Sequence, residues 1–309
     1  MGPAVDLPPG AVAWDQGFTV NASDGVPLRC AIWEGSGRGL ALLLSGRTEF
    51  LEKMALPATG LVERGFTVAC LDWRGQGLSG RTAEPWVMGH VDRFEDYDLD
   101  VAALMQAPQM ADRGPIRLML AHSMGGAIGL GAIYRGVIEP EAMVLSAPML
   151  GLKMSAAVRF AGYVTTKVAA AFGQLDKRPP FGEVDRPYVF EGFDGNVLTS
   201  DRAVFDWMVA ALTAEPRLQL AMPSLRWFDE ANKAMAWLQR QGPLGIPCQF
   251  LRGSLEGVVD PGAIRQAADL YKAELVEIAG AQHEVLIESA PMREAAWAAI
   301  DRFLEQTGR

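Results

Sequence analysis

The fold is decided by the stretch Ile116-Arg117-Leu118-Met119-Leu120-Ala121-His122-Ser123-Met124-Gly125-Gly126. An apolar run typical of a buried strand leads into one serine, and a glycine-rich helical pattern begins directly after it. Such a strand-to-helix turn is the pattern of a nucleophile elbow, in which Gly-x-Ser-x-Gly exposes the serine hydroxyl above a parallel sheet. Ala121 occupies the first glycine position and is small enough for close packing, so we expect Ser123 to be a nucleophile.

Composition limits the classes of protein that fit this chain. The 309 residues are 50% hydrophobic and can bury one large core, while the net charge of −9 argues against nucleic-acid partners. Cys30, Cys70 and Cys248 are far apart and odd in number, which predicts buried free thiols in a reducing compartment. The first residues lack the pattern of a signal peptide, so we expect a soluble cytoplasmic protein.

Short strand-like runs alternate with helical patterns along the first half of the chain, which predicts an α/β fold with a mostly parallel central sheet flanked by helices. The predicted strands are 28–33, 40–44, 66–71, 116–121, 143–146, 247–251 and 274–279, and the predicted helices are 54–64, 94–106, 124–134 and a last one that begins near Pro291. From about Gly151 to Gln241 the pattern is helical only. We therefore predict a core of residues 1–150 and 242–309 that carries an inserted helical cap of residues 151–241.

Only three histidines can supply a base for Ser123. His122 adjoins the serine, so its side chain should diverge, and His90 is predicted to be structural at a helix entrance. His283 follows the last predicted strand, and loops at the carboxyl ends of parallel strands gather catalytic groups. His283 is therefore the predicted general base.

The acid that orients His283 should follow the preceding strand, where Glu256 and Asp260 are the candidates. Asp260 precedes Pro261 at an apparent helix start and can serve as its N-cap. Glu256 has no such structural task and is the preferred acid, with Asp260 as the alternative.

An oxyanion hole needs two backbone N–H groups that point at the developing negative charge. Met124 follows the nucleophile and is one predicted donor, and Arg47, in the loop after the strand 40–44, is the other. The side chains of Arg47 and Glu49 could instead pair with each other and hold that loop.

Six motifs together resemble the branch of the α/β-hydrolases that contains bacterial lysophospholipases and monoacylglycerol lipases. They run in order along nearly the whole chain: 46–49 (GRTE), 72–80 (DWRGQGLSG), 89–97 (GHVDRFEDY), 121–126 (AHSMGG), 146–149 (SAPM) and 280–284 (GAQHE). The resemblance implies a serine hydrolase with Ser123 as nucleophile and His283 as base. Glu256 stands at the acid position, where many relatives carry Asp.

Two further patterns resemble known binding loops but match them incompletely. Gly75-x-Gly77-x-x-Gly80 resembles a dinucleotide-binding loop, but no helix pattern follows directly, so we reject that function. Asp96-x-Asp98-x-Asp100 resembles a calcium loop, yet Val101 stands where glycine is required, so a solvated helix face is predicted for these carboxylates.

The resemblance implies a carboxylic ester hydrolase for single-chain glycerolipids, either lysophospholipid or monoacylglycerol, without metal or organic cofactor. The cap is rich in aromatic and methionine side chains, which suit an acyl-chain pocket: Met154, Phe160, Tyr163, Phe172, Trp207, Met208, Met222, Trp227, Phe228, Met235 and Trp237. The alternatives are a broad short-chain carboxylesterase and a non-catalytic binding module. Transient contact of the cap with a membrane surface and the oligomeric state are left open.

Overall fold

The computed structural model describes residues 1–179 and 186–308, so residues 180–185 of the predicted cap lie outside the described part. One sheet of eight strands is found there, in the order β1-β2-β4-β3-β5-β6-β7-β8. The six strands from β3 to β8 pair in parallel, whereas β2 pairs antiparallel with both β1 and β4. The strands are β1 (Gln16–Asn21), β2 (Pro27–Trp33), β3 (Gly39–Leu44), β4 (Phe66–Leu71), β5 (Ile116–His122), β6 (Met143–Ser146), β7 (Cys248–Gly253) and β8 (Glu274–Ile278).

Helices cover both faces of the sheet because the strand side chains alternate between two apolar faces. Leu40, Leu42 and Leu44 of β3 pack in one buried cluster, and Ala41 and Leu43 pack in the other. Helices α1 and α8 contribute to the second cluster, and α2, α3, α6 and α7 to the first. The helices are α1 (Leu51–Glu63), α2 (Asp96–Met105), α3 (Met124–Tyr134), α4 (Ala156–Ala171), α5 (Arg202–Ala214), α6 (Leu225–Leu238), α7 (Pro261–Tyr271) and α8 (Ala290–Thr307).

The predicted α/β architecture is confirmed, and one strand was missed. The seven predicted strands all form, and the helix predicted over 124–134 has those bounds. Strand β1 escaped detection because it lies at the sheet edge and its residues are only partly buried, so its apolar pattern is weak.

The interpretation of Asp96, Asp98 and Asp100 as a solvated helix face is wrong. Asp100 is fully buried, and the other two carboxylates are 8% exposed. Each pairs with an arginine, since Asp96 lies 2.9 Å from Arg93, Asp98 is bound by Arg135, and Asp100 lies 2.7 Å from Arg74. In two of the three pairs the arginine is distant from the aspartate in sequence, so the local pattern could not reveal those partners.

The segment between β6 and β7 carries α4, α5 and α6, which differ in how firmly they are held. Helix α6 packs on the first apolar cluster, and its Trp227 Nε1 donates to the Tyr97 hydroxyl at 3.1 Å. Helix α4 exposes most of its surface, including Phe160 and Tyr163. Its inward face meets α6 where Gly162 lies against the ring of Phe228.

Two other features of the described residues concern membrane-spanning helices and the state of the cysteines. None of their helices combines the length and the apolarity that crossing a bilayer requires. Cys30, Cys70 and Cys248 are free and buried, and burial raises the pKa of each thiol.

Gly60 should be essential for the packing of α1 on α8. A Cβ at Gly60 would lie 2.2 Å from Cζ2 of Trp297, so Gly60→Ala forces two packed helices apart. We expect the free energy of unfolding in urea to fall by about 1–3 kcal/mol. A Cβ at Gly242 meets nothing within 4 Å, so the control Gly242→Ala should stay within about 0.5 kcal/mol of wild type. Equal stability of the two variants would contradict this account.

Candidate active site

Ser123 lies on a strained turn between β5 and α3. Its backbone has φ 51° and ψ −117°, which is unusual for a residue with a side chain. Three hydrogen bonds hold this conformation: the Ser123 N–H donates to the Ser146 carbonyl at 3.0 Å, and its carbonyl accepts from Gly126 at 3.0 Å and Met149 at 2.8 Å. The sheet therefore fixes the direction in which the hydroxyl projects.

Small residues around the turn are required by close backbone approaches. A Cβ at Gly125 would lie 2.4 Å from the Leu44 carbonyl oxygen, and one at Gly126 would lie 2.7 Å from Cβ of Pro148. A Cβ at Gly46 would come within 3.1 Å of Cβ of Ser123. The two glycines after the nucleophile and the glycine of the β3 loop therefore let three segments meet at one point.

His283 reaches Ser123 from the loop after β8. Its Nε2 lies 3.0 Å from Ser123 Oγ, and its Nδ1 lies 2.8 Å from Oε2 of Glu256. Gly253 permits this loop to cross the end of β7, since a Cβ there would lie 2.0 Å from the Gln282 carbonyl oxygen. The structure thus brings together Ser123, His283 and Glu256 in one hydrogen-bonded row.

The Glu256 carboxylate is held in its charged form. Burial alone would raise its pKa, but the hydrogen bond and charge of His283, together with the N–H groups of Val258 and Val259, keep the pKa below its ordinary value. Those amides donate to Oε1 at 2.7 and 3.0 Å, which leaves Oε2 for the histidine. Asp260 instead accepts from the Gly262 N–H at 2.8 Å and caps α7, so its carboxylate is not the partner of His283.

The two predicted oxyanion donors lie on either side of the nucleophile. Met124 is the first residue of α3, and Arg47 belongs to the loop directly after β3. Neither backbone N–H has a hydrogen-bond acceptor within residues 1–179 and 186–308. Both amides are therefore available to an oxygen atom bound at Ser123.

The suggested pairing of the Arg47 and Glu49 side chains does not occur. Glu49 accepts from the Gly46 N–H and lies 3.3 Å from Nζ of Lys53. Gln76 holds the same loop from outside through the carbonyls of Gly46 and Glu49 at 2.9 and 3.2 Å. The loop that carries Arg47 is thus fixed without the Arg47 side chain.

A buried ionic cluster lies next to His283, and the sequence reasoning assigned it no role. Lys53 Nζ lies 2.7 Å from Oε1 of Glu284 and 3.3 Å from Oε1 of Glu49, and all three side chains are buried. Glu284 follows His283 directly, so the cluster anchors the histidine loop to α1. Glu49 precedes the first residue of α1 and Glu284 is distant in sequence, so no local pattern indicated this cluster.

His122 borders this cluster but is not hydrogen-bonded to Ser123. Its Nδ1 lies 3.1 Å from the Ser146 carbonyl oxygen, and its ring centroid lies 4.7 Å from that of His283. Burial lowers the pKa of His122 to about 4, so its ring is neutral near neutral pH. His90 is placed as a structural residue, with Nδ1 2.8 Å from Oγ of Ser224 at the start of α6.

Two groups of described residues bring possible metal ligands together, one at His90, Asp92 and Asp176 and one close to Ser123. Glu49, His122 and Glu284 place ligand atoms within 4.8 Å of one another. The ammonium group of Lys53 already lies between the two carboxylates and offsets one of their two negative charges. The cluster therefore carries its own cation.

A largely apolar cavity of about 420 Å³ opens above Ser123. Of the cap residues expected in an acyl pocket, Met208, Met222, Trp227 and Phe228 line it, whereas Phe160, Tyr163 and Phe172 are exposed on the surface. Further apolar lining comes from cap residues that the sequence did not single out: Val189, Val197, Leu198, Leu212 and Leu220. The volume lies in the usual range for small-molecule sites, roughly 300–1,000 Å³.

The sequence of this chain matches a known family and curated relatives. Residues 35–290 match the family Hydrolase_4, described as serine aminopeptidase S33. The chain is 30% identical over 301 residues to lysophospholipase L2 of Escherichia coli, covering 92% of this chain and 85% of the relative. It is 26% identical to a monoacylglycerol lipase of Mycolicibacterium smegmatis, covering 85% and 88%.

Solved structures show the same fold at low identity. A soluble variant of monoglyceride lipase from Saccharomyces cerevisiae superimposes with a TM-score of 0.69 at 18% identity and covers 94% of this chain and 97% of that one. A carboxyl esterase from Bacillus coagulans gives a TM-score of 0.72 at 17% identity, with coverage of 94% and 98%.

Glu256→Gln should slow covalent labelling of Ser123 by a fluorophosphonate probe by roughly 10²–10⁴-fold, because an amide cannot stabilise the imidazolium form of His283. Asp260→Ala is the matched control: it should label at the wild-type rate and lose only about 0.5–2 kcal/mol of stability as the cap of α7 is removed. The assignment of the acid is wrong if Asp260→Ala slows labelling and Glu256→Gln does not.

His122 should make the folded state sensitive to acid. Its pKa is lowered from 6.5 to about 4, so between these pH values the unfolded chain binds a proton that the folded protein does not. The contribution of neutral His122 is complete above pH 6.5 and is lost as the pH falls towards 4. Urea unfolding should be measured for wild type and His122→Gln across this pH range. The free energy of unfolding of wild type should fall relative to that of the variant as the pH falls. A difference independent of pH would contradict a neutral His122.

Proposed function

The chain belongs to the Hydrolase_4 (serine aminopeptidase S33) family and has the α/β-hydrolase fold, and on that basis we propose that it hydrolyses the carboxylic ester of single-chain glycerolipids. The observation that carries this proposal is the row of hydrogen bonds from Glu256 through His283 to Ser123 at the base of an apolar cavity. The named activities of the lysophospholipase and monoacylglycerol lipase relatives support the substrate class.

Acyl transfer proceeds in two steps at this site. Ser123 Oγ attacks the ester carbonyl carbon while His283 Nε2 takes its proton, and the N–H groups of Arg47 and Met124 bind the oxyanion. The imidazolium formed on His283 is stabilised by Glu256 and returns the proton to the leaving glycerol oxygen. His283 then removes a proton from water, which attacks the acyl-enzyme and releases the fatty acid.

We propose residues 151–241 as the cap over a core of residues 1–150 and 242–309. Lining residues from this segment supply much of the apolar wall above Ser123, where an acyl chain would lie. A cytoplasmic location remains a prediction from the sequence.

The family's description suggests peptide substrates, and the charges around the cavity argue against an aminopeptidase. Binding of an N-terminal ammonium group calls for a carboxylate that is free to pair with it. Among the described residues, Glu284 and Glu49 are paired with Lys53, and Glu256 is paired with His283. Each of these carboxylates near Ser123 therefore already has a partner within the protein.

Fatty-acid release by the purified protein tests the function. Oleoyl-lysophosphatidylcholine, monooleoylglycerol and a short-chain nitrophenyl ester form the panel. Wild type should release oleate from at least one lipid, and Ser123→Ala should abolish nearly all turnover while remaining folded, because no other hydroxyl contacts His283 Nε2 among the described residues. Ser23→Ala, on the exposed turn between β1 and β2 and outside the cavity, is the control and should retain full activity.

Each other result has a defined meaning. Turnover of the nitrophenyl ester alone would favour a general short-chain esterase. Silence on all three substrates, with no fluorophosphonate labelling of Ser123, would favour a non-catalytic binding module.

A further inference from the structure

The side chain of Arg47 presents an unpaired positive charge at the wall of the catalytic cavity. Its Nη2 donates to the Ala221 carbonyl, and its guanidinium lies over the ring of Trp227, 5.3 Å from the ring centroid. Nε is buried without a hydrogen-bond partner, and no acceptor is found for Nη1 among residues 1–179 and 186–308. One of three guanidinium nitrogens is thus satisfied.

Other interior arginines of this protein are neutralised. Arg29 pairs with Glu52 and Asp72, and Arg74 pairs with Asp24 and Asp100. No salt bridge within the described chain includes Arg47, and burial lowers its pKa to about 10 without a carboxylate to oppose the effect. A desolvated cation of this kind is costly unless an anion or hydrogen bonds compensate it.

Arg81 shows that burial alone does not explain Arg47. Burial also lowers the pKa of Arg81 to about 10. Its guanidinium, however, donates to the backbone carbonyls of Gly75, Gly77 and Arg217 at 2.6, 2.9 and 2.5 Å. Arg81 does not line the cavity, so it is satisfied by the fold, whereas Arg47 faces the space that a ligand fills.

The position of Arg47 relative to the nucleophile restricts what that ligand can be. Gly46 lies against Ser123, so the Arg47 side chain starts one residue away from the reacting centre. It ends between Gly89, where a Cβ would lie 2.8 Å from Nη2, and Trp227 on the cap side. An anion bound there would therefore lie in the same cavity as the ester that Ser123 attacks.

We propose that the Arg47 guanidinium binds the phosphodiester anion of a lysophospholipid and selects this substrate over monoacylglycerol. The phosphate of a lysophospholipid is attached to the same glycerol as the scissile ester, so one substrate can bring both groups into the cavity that Ser123 and Arg47 line. The planar donors of arginine suit phosphate oxygens, and the bound anion compensates the buried charge. Monoacylglycerol offers only a hydroxyl at this place. The proposal rests on the proposed function, ester hydrolysis at Ser123.

The test compares kcat/KM on oleoyl-lysophosphatidylglycerol and monooleoylglycerol, both dispersed in the same neutral detergent micelles. Since Arg47 also supplies a backbone donor and a nearby positive charge, the readout is the ratio of the two values rather than either one. Arg47→Gln should lower the lysophospholipid-to-monoacylglycerol ratio at least about tenfold, the effect of losing a charged hydrogen bond. Arg47→Lys should retain part of the preference because it keeps the charge but not the planar donors.

Arg81→Gln is the matched control, since it removes another buried arginine near the same cap segment and should leave the ratio unchanged. Urea unfolding of Arg47→Gln confirms that it is folded. An equal decrease on both lipids in Arg47→Gln would assign the side chain a structural role and overturn the proposal.

Free phosphate is the other source of such an anion. Inorganic phosphate is therefore titrated as an inhibitor of nitrophenyl ester hydrolysis. Inhibition of wild type that is lost in Arg47→Gln, with an unchanged lipid ratio, would indicate a site for a free anion and overturn the headgroup assignment. Failure of wild type to hydrolyse either lipid would overturn the proposed function and this proposal with it, whereas turnover of both lipids with an unaltered ratio in Arg47→Gln would overturn this proposal alone.

Discussion

The backbone of Ser123 is the constraint on which the rest of the site depends. A side-chain-bearing residue in the left-handed region is unfavourable by itself and persists because the surrounding structure determines it. The cost is offset by hydrogen bonds to Ser146, Gly126 and Met149, which belong to the neighbouring strand, the following helix and the segment after β6. These partners are in place only when the parallel strands are assembled. The backbone conformation of Ser123 is therefore reached only when the sheet forms.

The buried charges next to His283 are paired with one another rather than exposed to solvent. Lys53 stands between Glu49 and Glu284, which ties the loop after β3 to the loop of His283. Breaking such a buried group by removing one partner leaves an uncompensated charge and is strongly destabilising. The loop that carries Arg47 and the loop that carries His283 consequently share one electrostatic anchor. Arg47 is the exception, because it lines the cavity and no carboxylate of the described chain pairs with its charge.

Sequence patterns were sufficient for the fold and for the identity of the three residues in the hydrogen-bonded row. Buried parallel strands are continuous apolar runs, and the elbow is a local pattern, so both are visible without tertiary information. The choice of Glu256 over Asp260 rested on the expected N-cap role of Asp260, and that role is seen in the structure. What the sequence could not supply are contacts between distant segments. The arginine partners of Asp98 and Asp100, the link from Lys53 to Glu284 and the exposure of α4 all belong to this class.

Hydrogen bonds between the inserted segment and the rest of the chain determine which part of that segment can be altered. Lys153 donates to the Glu256 carbonyl at 2.7 Å, and the carbonyls of Val197 and Leu198 accept from His283 and Glu284 at 3.2 and 2.9 Å. Those anchors lie before and after α4, whereas α4 itself is mostly solvent-exposed and meets α6 near Gly162 and Phe228. Helix α4 thus lies between two segments that hydrogen bonds attach to the loops of Glu256 and His283. No described lining residue of the cavity above Ser123 belongs to α4, so this helix can be replaced or lengthened without changing a side chain that faces that space.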